Sequence, residues 1–536
     1  MRKRPRRRFA RAGRRVARYH TRRMEPRPRG TYRPAAEPPF TKRLWGLCFL
    51  GAALLYLITC QRQVSWQDSG MFQERVWHGD VYSDLGLALA HPLYIAAGQV
   101  LRVLPGTWFA GGLNFFSGLG AAVALANLAV VVALVTGRLW TGAAVAAMLA
   151  VAHTMWWLAT IAEVYTWSAA GLTLELLLLV LVLRKPDWRR LALLAGVNGV
   201  GLCVHNFALL PLPIYLGLGV WLAATRRVPA WSLCTAAGAW LVGASPYLAM
   251  IVQEAMRPGM GLAAAVSSAL FGKSYADAVA GGGSWRLFRV NAALMAMNFV
   301  SFLMPLAVIG WLRFGRRLGR PPAVAIGAIT AIHLLFVLRY PVPDQFTFVL
   351  PSLVMIGLAA GVGLSVLADA CPRGRQVAIA AVAVSIALPP AFYAAAPSVV
   401  RALGVSVSRA RELPRDEARY WLVPWKHDEH SAHRFAQDAL RQAAPDGVIV
   451  PDSTSDSALT LTQEWYELAP GVTVAVNGEL PPYAAGPGAF RAALGPRPLY
   501  LVTPAPGYAP EGLGRGAAGV RHEREGVLWR VRWGDP

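Results

Sequence analysis

The sequence predicts a mainly α, polytopic membrane helix bundle with a small C-terminal α/β domain on its outer side. Three observations carry that prediction. Of the 536 residues, 55% are hydrophobic and only 15% are charged, against about 25% charged in an ordinary soluble domain. Apolar runs recur between residues 44 and 396, and many reach the length of about 20 residues that crosses a bilayer as a helix. The formal charge of +24 is unevenly spread. Residues 1–43 hold 17 Lys and Arg against 2 acids, residues 44–396 hold 21 against 11, and residues 397–536 hold 15 against 16. This composition argues against a soluble globular enzyme. Its apolar content argues equally against a disordered nucleic-acid-binding chain.

The opening stretch, RKRPRRRFARAGRRVARYHTRR, lacks the apolar core of a signal peptide. Residues 1–43 read as a disordered basic arm on the cytoplasmic side, touching anionic lipid headgroups rather than nucleic acid. From Leu44 the chain turns apolar. About eleven spans are expected, over 44–60, 112–136, 140–159, 164–183, 190–206, 207–225, 231–252, 290–312, 321–338, 346–368 and 376–396. Lys and Arg concentrate on the cytoplasmic side of a membrane, which tests the count. With the arm inside, the inner connections hold Arg138, Arg184, Lys185, Arg189, Arg190, Arg226, Arg227, Arg313, Arg316, Arg317, Arg320, Arg373 and Arg375. Counting 87–104 as a full span would reverse every later loop. That segment is therefore expected as a re-entrant or juxtamembrane helix on the outer side.

The same topology collects the polar residues with useful chemistry on the outer face: Asp68, Glu74, Asp80, Asp84, His91, Glu163, Asp344 and, at the membrane edge, His205. The near-neutral tail from 397 reads as an extracytoplasmic α/β domain. Residues 446–452, 472–476, 498–503 and 526–533 look like strands, and 457–468 has helical spacing. The five cysteines lie in or beside apolar runs and read as small apolar residues. His427, His430 and His433 share a helix face but lack a zinc-site spacing, so a solvated polar face is expected. Gly281–Gly283 is not a phosphate loop, because no Lys-Ser or Lys-Thr follows it.

Within the first outer loop, Asp68 lies beside Trp66 and Phe72. A carboxylate partly desolvated in this way suits a general base. The same D-S-G-M-F-Q-E stretch also suits an acid capping a helix, and both readings stand. His91-Pro92 opens a helix, where proline is tolerated, and His91 could bond a phosphate or a sugar hydroxyl. An acid between apolar helices, as at Glu163, is costly and more often functional. His205 reads as a helix-end cap or a ligand contact. Arg339 is expected either to pair with Asp344 or to hold a lipid phosphate.

Taken in order, the motifs are Asp68-Ser69-Gly70-Met71-Phe72, His91-Pro92-Leu93-Tyr94, Trp156 with Glu163-Val164-Tyr165, Gly201 with His205-Asn206, and Tyr340 with Asp344, Phe346, Phe348 and Pro351. Together they resemble the GT-C glycosyltransferases, and within them the bacterial branch of the transmembrane protein O-mannosyltransferase-like family, over residues 40–370. The resemblance implies a GT-C-like bundle and an inverting hexosyltransferase. Its donor would be a sugar, with mannose the candidate, on a polyprenyl-phosphate carrier. Its acceptor would be a protein or glycan hydroxyl outside the plasma (inner) membrane. Asp68 matches the family's usual base. Glu74, His91, Tyr94, Glu163, Tyr165, His205, Arg339 and Asp344 are the residues expected to bind donor or acceptor. No metal ligand is assigned; a divalent metal is optional. Two departures stand out. Met71 replaces the family's Glu, with Glu74 nearby, and the H-P-P-G-Y-P-L-Y stretch is shortened to His91-Pro92-Leu93-Tyr94. A transporter or flippase would instead place polar groups at the bilayer midplane, and only Asn127 and Glu175 stand well inside spans. A non-catalytic membrane scaffold is the third reading.

Overall fold

The computed structural model describes residues 40–273, 285–340, 342, 344–407, 413–475 and 480–534. The basic arm and Gly281–Gly283 thus fall almost wholly outside the described residues. The chain from Thr41 onward is dominated by helices. We label the first eleven α1 (Thr41–Thr59), α2 (Gln67–His78), α3 (Pro92–Gly98), α4 (Gly106–Thr136), α5 (Leu139–Ala150), α6 (His153–Leu158), α7 (Tyr165–Arg184), α8 (Trp188–Val204), α9 (Leu212–Ala224), α10 (Ser232–Ala255) and α11 (Leu262–Phe271).

Among the described residues, eight helical segments are long and apolar enough to cross a membrane, and a bent pair, Phe288–Phe299 with Leu303–Leu318, makes a ninth. The other two expected spans are helical but short. The 140–159 segment breaks at Val151 and Ala152 into α5 and α6. The 190–206 segment forms the 17-residue α8, whose first turn carries Arg189 and Arg190. Residues 87–104 form three short pieces, Leu87–Leu89, α3 and Gln99–Val103, none long enough to cross.

The bundle centres on α4 and on Thr347–Ala370, whose most apolar stretches are 83% and 94% buried. By contrast, α1 turns Leu47, Leu50 and Leu54 outward. An apolar residue costs nothing facing lipid, so close backbone packing must decide the contacts instead. Gly310 and Gly363 face each other's helices so closely that a Cβ on either would overlap a carbonyl of the partner helix. Asn127 and Glu175, polar residues inside spans, are interhelical ties. Asn127 accepts from the Trp45 indole at 2.9 Å. Glu175 accepts from Asn198 at 3.1 Å and from the Tyr215 hydroxyl at 2.9 Å.

The tail forms a five-stranded sheet of order β2-β1-β3-β5-β4, from β1 (Val448–Val450), β2 (Thr473–Val474), β3 (Leu499–Leu501), β4 (Val520–Glu525) and β5 (Leu528–Trp533). β1 pairs parallel with β2 and β3, and β5 pairs antiparallel with β3 and β4. The four expected strands are present, though shorter. β4 has no apolar alternation because it is a sheet edge, where charged side chains are the usual protection. Its Glu523 instead pairs across to Arg532 at 3.0 Å.

This domain docks where α1 ends and where α6 leads into α7. The Lys426 amide donates to the Thr59 carbonyl at 2.7 Å, and Thr160 Oγ1 donates to the Pro424 carbonyl at 2.7 Å. The Trp157 and Trp421 rings stack at 5.6 Å. The tail therefore shares a face of the bundle with residues 59–66 and 159–164.

Candidate active site

That shared face holds a cavity of about 260 Å³, lined by Asp68, His91, Tyr165, His205 and Asp344 and walled by Leu209, Leu210, Phe336 and Phe348. Five of the nine candidate residues meet there. Its lining combines polar and apolar side chains.

Asp68 sits in the first turn of α2, whose start is held from several directions. Gln67 has a left-handed φ of 57°. The Ser65 amide donates to Gln73 Oε1 at 2.9 Å, Gln73 Nε2 donates to Asn114 Oδ1 at 3.0 Å, and Asn114 Nδ2 donates to the Gln61 carbonyl at 3.0 Å. The capping alternative does not hold. Trp66 occupies the cap position and no side chain caps the helix. Asp68 is exposed where it opens into the cavity, whose walls are formed by the surrounding protein. That enclosure, then the charges of Asp344 and Asp456, push its carboxyl up to about 7.

Glu163 lies just behind, outside the cavity lining. Its Oε1 accepts from Ser69 Oγ at 3.1 Å, and its amide donates to Ser117 Oγ at 2.8 Å. Burial, then Asp68 and Asp344, hold its carboxyl well above the usual range. Tyr94 stands one step further back. Its hydroxyl bonds Ser117 Oγ at 3.1 Å, and its ring packs on Phe72 at 5.3 Å.

The two histidines stack, with ring centroids 5.0 Å apart and planes at 21°. His91 Nδ1 lies 2.9 Å from the Val204 carbonyl, which can only accept, so Nδ1 carries the proton and Nε2 has a lone pair. Burial, then Arg75, push its pKa down to about 3, which keeps it neutral. His205 is the complementary tautomer. Its Nδ1 accepts from the Phe207 amide at 3.1 Å, which puts its proton on Nε2. The pair thus offers one acceptor and one donor.

Glu74 and Arg339 do not join the cavity. Glu74 is half-buried on α2. Arg339 ends its helix exposed and does not line the cavity. Asp344 accepts through its carbonyl from the Thr347 amide at 2.8 Å. No group of three or more His, Cys, Asp or Glu among the described residues could hold a metal ion. The His run of the tail is divided: His430 bonds Gln63 Oε1 at 3.1 Å, and His433 packs on Tyr466 at 4.9 Å.

Four supporting residues escaped the sequence reading. Ser69 and Ser117 hold Glu163. Arg75, buried, donates to the carbonyls of Leu89 and Ala90 at 2.8 Å and so holds the approach to His91. Asp456 comes from the tail. Only Ser69 and Arg75 had a local signal, being on the same helix as Asp68.

Two crystal structures of ArnT from Cupriavidus metallidurans share the fold. The one bound to undecaprenyl phosphate aligns at 15% identity and a TM-score of 0.55, over 91% of this chain and 97% of that one. The apo state aligns at 14% and 0.54, over 91% and 98%. The arabinofuranosyltransferase AftD from Mycobacteria aligns at 14% and 0.47, over 94% of this chain and 41% of that one; at that score it adds nothing to the assignment. Residues 86–228 match the family described as Protein O-mannosyl-transferase TMEM260 N-terminal domain. That match includes His91, Tyr94, Glu163, Tyr165 and His205 but begins after Asp68. No curated relative matches the chain. The chain thus shares its fold with the ArnT structures over nearly the whole length of both chains.

Proposed function

We propose that the protein is a multi-pass membrane glycosyltransferase that moves a sugar, mannose being the first candidate, from a polyprenyl-phosphate carrier to an acceptor hydroxyl on the extracytoplasmic side. The observation that carries this reading is a carboxyl held near 7 in a cavity lined by both polar and apolar side chains. A general base works best with a pKa close to the operating pH. An apolar wall beside membrane-spanning helices suits the first isoprene units of a lipid carrier.

Asp68 takes the proton of the acceptor hydroxyl. The acceptor oxygen attacks the anomeric carbon as the bond from that carbon to the phosphate oxygen breaks. The phosphate leaves with the electron pair, and the anomeric configuration inverts. His205 Nε2–H donates to the departing phosphate, a stabilisation of charge that develops only in the transition state. His91 Nε2 accepts from a sugar hydroxyl. Glu163 holds Ser69 beside Asp68. Tyr165 and Asp344 complete the polar wall. Tyr94 keeps Glu163 in place through Ser117. Glu74 and Arg339 contact donor or acceptor only if these reach beyond the cavity. The acceptor is a protein or glycan. The arm lies in the cytoplasm and the C-terminal domain outside the inner membrane, an orientation supported by the Lys and Arg of the inner loops.

The test uses native membranes containing the full chain and undecaprenyl phosphate carrying radiolabelled mannose. Label is expected in membrane protein or glycan, with release of undecaprenyl phosphate. An intact donor and no labelled product, with any sugar offered on this carrier, would overturn the reading.

A further inference from the structure

The first turn of α2 is held from the far end of the chain. The Gln67 amide, immediately before Asp68, donates to the Thr454 carbonyl at 3.1 Å. The adjacent Trp66 indole donates to Ser431 Oγ at 2.8 Å. Both acceptors belong to the C-terminal domain. Gln67 holds its left-handed φ without being glycine, a conformation that persists only where surrounding structure imposes it.

The Thr454 carbonyl is itself fixed by one side chain. Asp452, buried, accepts at Oδ1 from Thr454 Oγ1 at 2.8 Å, from Ser455 Oγ at 2.6 Å and from the Thr454 amide at 3.3 Å. Its carbonyl accepts from the amides of Ser455 and Asp456 at 3.0 and 3.1 Å. The turn 452–456 is therefore rigid. From the other side, a Cβ on Gly70 would stand 2.5 Å from the Ser65 carbonyl oxygen and 3.4 Å from Ser457 Cβ, so α2 has no room to drift along the docked loop.

We propose that Asp452 is a positioning residue for catalysis, holding Asp68 in place through the Thr454 carbonyl and the Gln67 amide. The inference rests on Asp68 being the base. It makes the C-terminal domain a working part of the site rather than a separate module.

The charged groups that face Asp68 are Asp344 from the 344–347 turn, Glu163 from the α6–α7 connection, and Asp456, the last residue of the 452–456 turn. Loosening the turn therefore changes both where Asp68 points and how close the Asp456 charge lies. A misplacement of about 1 Å can cost on the order of a hundredfold in rate.

Asp452→Ala, in the full chain in membranes with undecaprenyl-phosphate mannose, is expected to lower kcat by about 10–100-fold with KM for the donor little changed. The acidic limb of kcat should move to lower pH as the Asp456 charge retreats. Asp452→Asn keeps the Oδ1 acceptor and should restore the rate. Wild-type kcat in Asp452→Ala, a loss confined to KM, or an Asn variant as slow as the Ala variant would each overturn the proposal. If Asp452→Ala does not fold, Ser431→Ala carries the test, since it strips the acceptor from Trp66; a selective fall in kcat supports the proposal and an unchanged kcat overturns it. Loss of rate in Asp68→Asn with none in the Asp452 and Ser431 variants removes the positioning role alone. Full rate in Asp68→Asn removes the base assignment beneath it.

Discussion

At the residue scale, the site is governed by how few charges the cavity tolerates. Asp68, Glu163, Asp344 and Asp456 are four acids in mutual electrostatic reach. Burial and this clustering hold the Glu163 carboxyl well above the usual range and raise that of Asp68 to about 7. Two outcomes follow. A carboxyl raised on folding binds its proton more tightly in the native state, so it lowers stability as pH rises from the ordinary carboxyl range through about 7. Asp68→Asn should therefore melt at a higher temperature than wild type at pH 8 and at a similar temperature at pH 4, as thermal melts in detergent at the two pH values will report. Asp456→Asn removes one charge that raises Asp68, so the base stays ionised at lower pH. The acidic limb of the transfer rate should shift downward, and an upward or absent shift would show that Asp456 does not act on it. Asp68, His91, Tyr165, His205 and Asp344 were legible because each stands in a short motif at a span end. Asp456 was not, because a single acid in a distant soluble segment has no local mark tying it to α2.

At the element scale, α2 is the part that converts sequence into chemistry. Gly70 is required by close approach rather than by its dihedrals, since a methyl there would press on the Ser65 carbonyl. Gly70→Ala should destabilise the protein by about 1–3 kcal/mol, the usual range for overpacking. It should also lower transfer by tilting Asp68, and a melting curve alongside a rate will separate the two. Hydropathy located the spans well but could not see the break between α5 and α6, because Val151 and Ala152 are as apolar as the helices they separate. β4 was hidden for the opposite reason. Its V-R-H-E-R-E sequence is an edge strand supported by cross-strand ion pairs, and period-two hydrophobicity is absent there. The solvated polar face expected of the His run fails at His433, which is buried against Tyr466, while His430 is tied to Gln63.

At the scale of the whole molecule, the charge distribution proves more useful than its total. The arm holds 17 Lys and Arg against 2 acids, and five of the nine candidate residues meet at one cavity. The sequence could order the spans, but it could not show that the tail grips the loop after α1, because the hydrogen bonds involved join residues more than 350 positions apart. A periplasm-active reporter fused after Pro536 should be active and a cytoplasm-active one silent; the reverse would contradict the topology and the side of the reaction. The most direct test of the account is the rate of mannose transfer from undecaprenyl phosphate in membranes, wild type against Asp68→Asn at matched expression. A general base contributes about 10²–10⁴-fold, so the variant should lose at least a hundredfold with the protein still folded and donor binding retained. Equal rates in the two proteins would contradict it.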